Sequence, residues 1–246
     1  MRVITKFKLV LCIGLLSILS CSSDDTTTPP PSSGNDLKIL TLGDSRVQGA
    51  RPEFESYRYE LWKNLVTNEW KFDFIGPLID EASYPEFMSM SFDKDHAGVG
   101  GFTTQDVLEN ITAALSTGTP DVVLLGIGGN DLLGNASVSN TITNINQIID
   151  LLQSNNSNVT IFLEQIAPGR SNIMTTEVTT TFNEFNSSIA NVGTQQTDAT
   201  SRVIVVNMST DWTDDYMADD VHYNEAGAKV VADRYYEAIS QHIEKQ

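Results

Sequence analysis

Cysteine is almost missing from this chain: two occur, Cys12 and Cys21, both within the first 21 residues. The remainder therefore has no disulfide framework, no thiol nucleophile and no Cys-based metal site. A body of about 210 residues buries enough surface to fold without cross-links. Basic residues are also scarce, with 15 Lys and Arg against 32 Asp and Glu and a formal charge of −17. Three of the basic residues, Arg2, Lys6 and Lys8, lie at the extreme N-terminus, so the rest is more acidic still. Such a balance excludes nucleic acid as a partner and reads as a solubility feature. Beyond Leu19 no apolar run is long enough to cross a bilayer. Only three histidines, His96, His222 and His242, are available as side chains that titrate near neutrality.

What the N-terminus does contain is a charged start, an apolar run from Leu9 to Leu19, and Ser20-Cys21. These are the parts of an export signal. Ile18-Leu19-Ser20-Cys21 resembles a bacterial lipobox, which implies lipidation at Cys21. The Pro/Ser/Thr-rich stretch Ser22 to Asn35 then reads as a flexible tether. The expected organisation is a lipoprotein signal over 1–20, a lipidated cysteine and linker over 21–36, and one domain over 37–246. The protein is expected to be exported and anchored by lipid to the bacterial cell envelope, at the outer membrane or cell surface, and to meet the membrane only through that anchor.

From Leu37 onward short apolar runs alternate with helical periods. The runs Leu37–Leu42, Lys71–Ile75, Asp121–Ile127, Val159–Ile166 and Arg202–Val206 predict strands. Glu55–Asn68, Thr104–Leu115, Val138–Ser154, Thr176–Val192 and Glu225–Glu244 predict helices. Alternation of this kind, with strands apolar on both faces, predicts an α/β fold with one parallel sheet covered on both sides. The segment Leu78–Asp95 has no clear period and is expected to be a long loop.

In a parallel α/β sheet, ligands gather beyond the carboxyl ends of the strands. Three polar clusters fall there: Gly43-Asp44-Ser45, Gly128-Gly129-Asn130-Asp131 and Asp219-Asp220-Val221-His222. A serine on a strand-to-helix turn is exposed beside unpaired N–H groups. His222 can act as its base, with Asp219 three residues earlier holding the imidazole and Asp220 pointing elsewhere. Asn130, the Gly101 N–H and the Ser45 N–H are candidate donors to an oxyanion. Thr103 or Thr104 is the expected N-cap of the helix after Gly101. Each cluster alone is also an ordinary turn or helix start.

Together, Gly-Asp-Ser on the first strand, a glycine before Phe102-Thr-Thr, Gly-x-Asn-Asp after an apolar strand and Asp-x-x-His near the C-terminus resemble the four sequence blocks of the SGNH (GDSL-type) hydrolases. The resemblance covers the chain from Leu37 onward. It implies a three-layer, flavodoxin-like fold with a five-stranded parallel sheet. Ser45 would be the nucleophile, Asp219 and His222 would complete a triad, Ser45, Gly101 and Asn130 would form the oxyanion hole, and no metal or other cofactor would be needed. Arg46 departs from the leucine or isoleucine often found after the serine. No G-x-S-x-G elbow of the α/β-hydrolases is present.

Tyr57-Arg-Tyr-Glu-Leu-Trp62, Phe72-Asp-Phe-Ile-Gly76 and Asp93-Lys-Asp-His-Ala-Gly98 are similar to a branch containing carbohydrate acetyl esterases. The substrate so implied is an acylated carbohydrate or another small ester. A lysophospholipase or thioesterase on the same triad, or a glycan-binding surface protein that has kept the fold, are the competing readings. Read from spacing alone, Leu61 and Trp62 are helix core, Phe72 and Phe74 face the sheet's packing layers, and Arg58 is a structural ion-pair partner. His96, with Asp93 and Asp95 beside it, is expected to be a loop histidine rather than a metal ligand, and His242 to be solvated. Arg170 reads as the partner of a surface carboxylate ahead of a substrate contact, and Trp212 and Tyr216 as packing that steadies a loop or as a platform for a sugar ring.

Overall fold

The computed structural model describes residues 36–245. The expected signal, Cys21 and the tether Ser22 to Asn35 lie outside the described residues. In chain order the elements are β1 (Leu37–Gly43), α1 (Ser45–Gln48), α2 (Arg58–Thr67), β2 (Phe72–Ile75), β3 (Leu78–Ile79), β4 (Asp95–Gly98), α3 (Thr104–Ala114) and β5 (Val122–Gly126). There follow α4 (Gly129–Leu133), α5 (Val138–Asn155), β6 (Thr160–Gln165), α6 (Thr176–Gln196), β7 (Arg202–Asn207), a 3₁₀ turn (Asp214–Tyr216) and α7 (Glu225–His242).

All five expected strands form, and all are parallel: β1 pairs β2 on one edge and β5 on the other, and β6 and β7 follow outward. The sheet nevertheless has seven strands rather than five. β4 continues the position begun by β2, pairing Leu42 and Gly43 of β1 where β2 pairs Leu37 to Leu40. β3 adds antiparallel to β4 at the edge. Neither short strand shows apolar alternation. Thus the stretch expected to be one loop begins and ends in the sheet.

Alternation along the strands divides the core into two layers. Leu37, Ile39, Val122, Leu124 and Phe162 face α2 and α7. Leu40, Leu42, Val123, Leu125, Ile161 and Leu163 face α3, α5 and α6. The three-layer α/β/α arrangement follows from burying both sheet faces. Leu61 and Trp62 are core residues of α2, as their spacing predicts. Among the described residues no helix is long and apolar enough to cross a membrane.

Caps set the helix ends nearest the rim. Thr103, one of the two expected caps, accepts a hydrogen bond from the Asp106 N–H while the Asp106 carboxylate accepts from the Thr103 N–H. This reciprocal box starts α3 directly after Gly101-Phe102. α2 begins three residues later than its periodicity predicts, because Glu55 pairs with Tyr223 and Ser56 Oγ donates to the Val47 carbonyl.

Candidate active site

Ser45 is the first residue of α1, directly after the end of β1 and its Asp44 cap. Here the N–H groups of a first helical turn have no intrahelical partner. Asp44 accepts from the Arg46 N–H. Burial raises the Asp44 carboxyl above its ordinary range, against the opposing pull of Arg46.

His222 and Asp219 arrive from the opposite end of the chain, on the loop before α7. His222 Nε2 lies 2.9 Å from Ser45 Oγ, and Nδ1 lies 2.7 Å from Asp219 Oδ2. With Nδ1–H given to the carboxylate, a neutral imidazole presents its lone pair to the serine hydroxyl. The other Asp219 oxygen accepts from the backbone N–H groups of Val221 and His222, at 2.8 and 2.7 Å. Burial acts to raise the Asp219 carboxyl, but the hydrogen bonds from the His222 ring and these N–H groups outweigh it and hold the group below its usual range. Asp220 points away, accepting from the Asn172 amide.

Across the rim, the Asn130 amide donates to the Phe102 carbonyl at 2.9 Å, which joins α4 to the Gly100-Gly101-Phe102 loop. Asp131 fixes the same junction more firmly. Buried, it accepts from the Thr104 N–H at 2.9 Å and from the Thr104 hydroxyl at 2.6 Å. Sequence reasoning placed Asp131 in its block but gave it no task. Its signal was only an acidic residue after the asparagine. Gly128 caps α4 with φ of 113°, a left-handed conformation open to glycine, and a Cβ there would come within 2.7 Å of the Phe185 ring. Gly101 has φ of 79° and faces open space. A Cβ on its neighbour Gly100 would lie 3.9 Å from the Ser45 Cβ, so this loop flanks the serine.

The structure thus brings Ser45, His222 and Asp219 into one hydrogen-bonded chain, and it sets Asn130 and the Gly101 loop on the same rim. Ser45 and Asn130 line one small cavity, with Leu133, Ile173, Phe182 and Val221 among its apolar walls. It offers about 20 Å³ to the centres of water-sized occupants, little more than one such sphere requires. Phe54 was missed from the sequence: its ring stacks on His222 with centroids 3.8 Å apart and planes 12° from parallel. No local signal marks that contact.

The expectations for His96 and Arg170 change here. His96 is not a loop residue but a buried member of β4, where Nδ1 accepts from the Gly98 N–H at 3.1 Å. Burial, aided by the nearby Arg58 charge, pushes its pKa down to about 3, so the ring stays neutral. Among the described residues no group of three or more His, Cys, Asp or Glu side chains could hold a metal ion. Arg170 donates to the Met217 carbonyl rather than to a carboxylate. Trp212 packs against Tyr216 and Tyr223, the steadying alternative for that loop. His242 is exposed at the end of α7. Beneath the site, Glu164 of β6 accepts from Tyr235 at 2.7 Å, and burial pushes its carboxyl up to about 7.

A three-layer α/β/α domain with these groups on the carboxyl rim of a mostly parallel sheet falls in the class of SGNH-type ester hydrolases. Residues 41–230 match the GDSL-like Lipase/Acylhydrolase family, and the chain belongs to that family. Among solved structures it is similar to a carbohydrate esterase of family 3 from Talaromyces cellulolyticus, with a TM-score of 0.72, 25% identity and coverage of 83% of this chain and 97% of the other. A family 3 carbohydrate esterase of Clostridium thermocellum is 30% identical, with a TM-score of 0.67 and coverage of 84% and 96%. A curated relative, "Putative endoglucanase X" of Acetivibrio thermocellus, is 30% identical over 133 residues, which are 53% of this chain and 54% of the relative. The chain therefore spans about half the length of that curated relative.

Proposed function

We propose that the protein is a serine esterase that removes a short acyl group, acetyl above all, from carbohydrate. Ser45 Oγ attacks the ester carbonyl as its proton passes to His222 Nε2, and Asp219 holds the imidazole in the required tautomer. The oxyanion so formed accepts from the Ser45 and Gly101 N–H groups and the Asn130 amide. His222 returns its proton to the departing sugar oxygen. Water, deprotonated by His222, then releases the acid from Ser45.

The observation that carries this reading is the continuous hydrogen-bonded line from Ser45 Oγ through His222 to Asp219. The small cavity beside Ser45 has room for a methyl, and it adjoins a larger cleft at Gly169 and Phe182. Likeness to family 3 carbohydrate esterases supports a sugar as the alcohol. Export through the N-terminal signal and lipid attachment at Cys21 belong to the same proposal, because an enzyme anchored outside the cell reaches polysaccharide directly.

Hydrolysis of nitrophenyl esters from acetate to decanoate by the full chain tests the acyl preference. Acetate should be fastest, with kcat/KM falling steeply once the chain outgrows the cavity; a maximum at long chains would transfer the assignment to lipid substrates. Replacing Asn130 with alanine should lower kcat by ~10²–10³ if its amide serves the oxyanion. An unchanged kcat would take it out of the site.

A further inference from the structure

Arg46 follows Ser45 on α1, and its half-buried guanidinium makes contacts that reach far along the chain. Nε donates to the Val221 carbonyl at 2.8 Å. Nη1 donates to the Ala167 carbonyl at 2.7 Å and, more weakly, to the Tyr223 hydroxyl at 3.4 Å. Nη2 donates to the Pro168 carbonyl at 3.3 Å. The guanidinium carbon also sits 4.9 Å from the centroid of the Tyr223 ring. Val221 and Tyr223 are the two neighbours of His222, while Ala167 and Pro168 follow β6. A single side chain thus joins the segment carrying the serine to the segment carrying the histidine.

Several other polar tethers of the histidine loop reach elsewhere. Arg170 holds Met217 through its side chain and Asp220 through its N–H, and Asn172 holds the Asp220 carboxylate. These fasten the loop to the connection between β6 and α6. Two further ties run to the segment after α1, where the Glu55 N–H donates to the Tyr223 carbonyl at 2.8 Å and the Phe54 ring stacks on His222, but neither comes from the helical turn that carries Ser45. Buried Met217 and Tyr223 pin the ends of the loop, but the Asp219 side chain between them is 52% exposed.

We propose that Arg46 is a positioning residue that sets the separation of His222 from Ser45 through the path Ser45–Arg46···Val221–His222. This inference rests on the serine-esterase reading above. Its physical basis is the planar fork of the guanidinium, whose donors leave in fixed directions and so fix three carbonyls relative to one another. Asp44 and Glu164 lie close enough to interact with the cation without forming an ion pair, which leaves its donors to the carbonyls. A proton passes from hydroxyl to imidazole only over about 2.6–3.2 Å. The observed 2.9 Å meets that condition.

The test compares Arg46→Lys, Arg46→Ala and Arg46→Leu in the full chain, with nitrophenyl acetate as substrate and folding checked by circular dichroism. Losing the clamp should lower kcat by ~10²-fold, the cost of a displacement near 1 Å, with KM nearly unchanged. Lysine should fall between, because an ammonium cannot reach all three carbonyls at once. Millimolar guanidinium should restore part of the Arg46→Ala rate saturably, and should leave wild type and Arg46→Leu unaffected. Rescue and the kcat-against-KM split separate positioning from a merely structural role. If Arg46→Leu does not fold, the lysine variant and the rescued alanine variant decide the matter. A folded Arg46→Ala with wild-type kcat, or a loss that follows the unfolded fraction and resists rescue, would overturn the proposal. Wild-type turnover by Ser45→Ala would instead overturn the serine mechanism itself.

Discussion

Replacing Ser45 with alanine should lower ester turnover by a factor on the order of 10⁶, the scale seen when the nucleophile of a serine hydrolase is removed. The hydroxyl lies within hydrogen-bonding distance of the base, at 2.9 Å from His222 Nε2, where it can give up its proton as it attacks. The fold should be untouched: the one hydrogen bond recorded for this hydroxyl is that to His222, and its loss should cost ~1 kcal/mol or less. Wild-type enzyme treated with a slowly deacylating ester should carry the acyl group on the peptide containing Ser45, as mass spectrometry will show. Folded Ser45→Ala enzyme turning over acetate esters at an undiminished rate would show that another group attacks.

The largest loss of stability is expected from Arg58→Ala. This arginine is fully buried, and its donors satisfy the Val47 carbonyl at 2.8 Å, the Gln48 carbonyl at 2.8 Å and Asp80 at 2.7 Å. Val47 and Gln48 end the one-turn helix that starts with Ser45, so their carbonyls lack helical partners. Removing the side chain strands the Gln48 carbonyl, leaves the Val47 carbonyl to Ser56 Oγ alone, and leaves a largely buried carboxylate without its cation. The expected cost is ~3–5 kcal/mol, a fall in Tm of roughly 6–20 °C for a domain of this size. The partner adds a pH signature. Burial acts to raise the Asp80 carboxyl, but hydrogen bonds from Ala82, Tyr84 and Arg58, with the Arg58 charge, outweigh it and lower the group below its ordinary 3.8. A depressed carboxylate stabilises the fold above that value, and its contribution is lost as pH falls through the folded pKa. Calorimetry of wild type and Arg58→Ala at neutral and acid pH will show it: the gap in Tm should narrow below pH 3.8. Equal Tm at neutral pH would mean that the buried pair adds nothing.

The strands that build the sheet were legible because they are apolar on both faces, as in Val122 to Leu125, where every side chain is buried. Ser45, Asn130, Asp219 and His222 were legible because short spacings fix their local geometry: an acid and a histidine three residues apart can meet wherever the loop goes. β4 was not legible. Its Asp95 and His96 read as polar loop, and only the neighbouring backbone, donating to Asp93 and to the His96 ring, makes burial tolerable there. Arg58 was rightly taken for an ion-pair partner, but its acid is Asp80, inside the stretch that showed no period. The contacts of Arg46 and Phe54 join residues more than a hundred positions apart, a distance that no local pattern records.

The division of one strand position between β2 and β4 bears on how this enzyme could grow. The chain leaves the sheet after Ile79 and re-enters at Asp95, where these two residues pair with each other, and β2 and β4 on either side of the excursion are pinned to neighbouring stations on β1. Tyr84, Phe87 and Phe92 fasten the excursion to Tyr59 and Trp62, and its tip is a tight turn with Met88 and Ser89 at positive φ between the bridged Phe87 and Met90. Added residues at that tip would meet solvent, since Met88 is already 65% exposed. Each doubling of such a loop costs only ~0.6 kcal/mol in closure entropy. Inserted sequence there would be carried outside the anchoring aromatic cluster, so lineages could acquire new surface at this position while Ser45 and its partners keep their places.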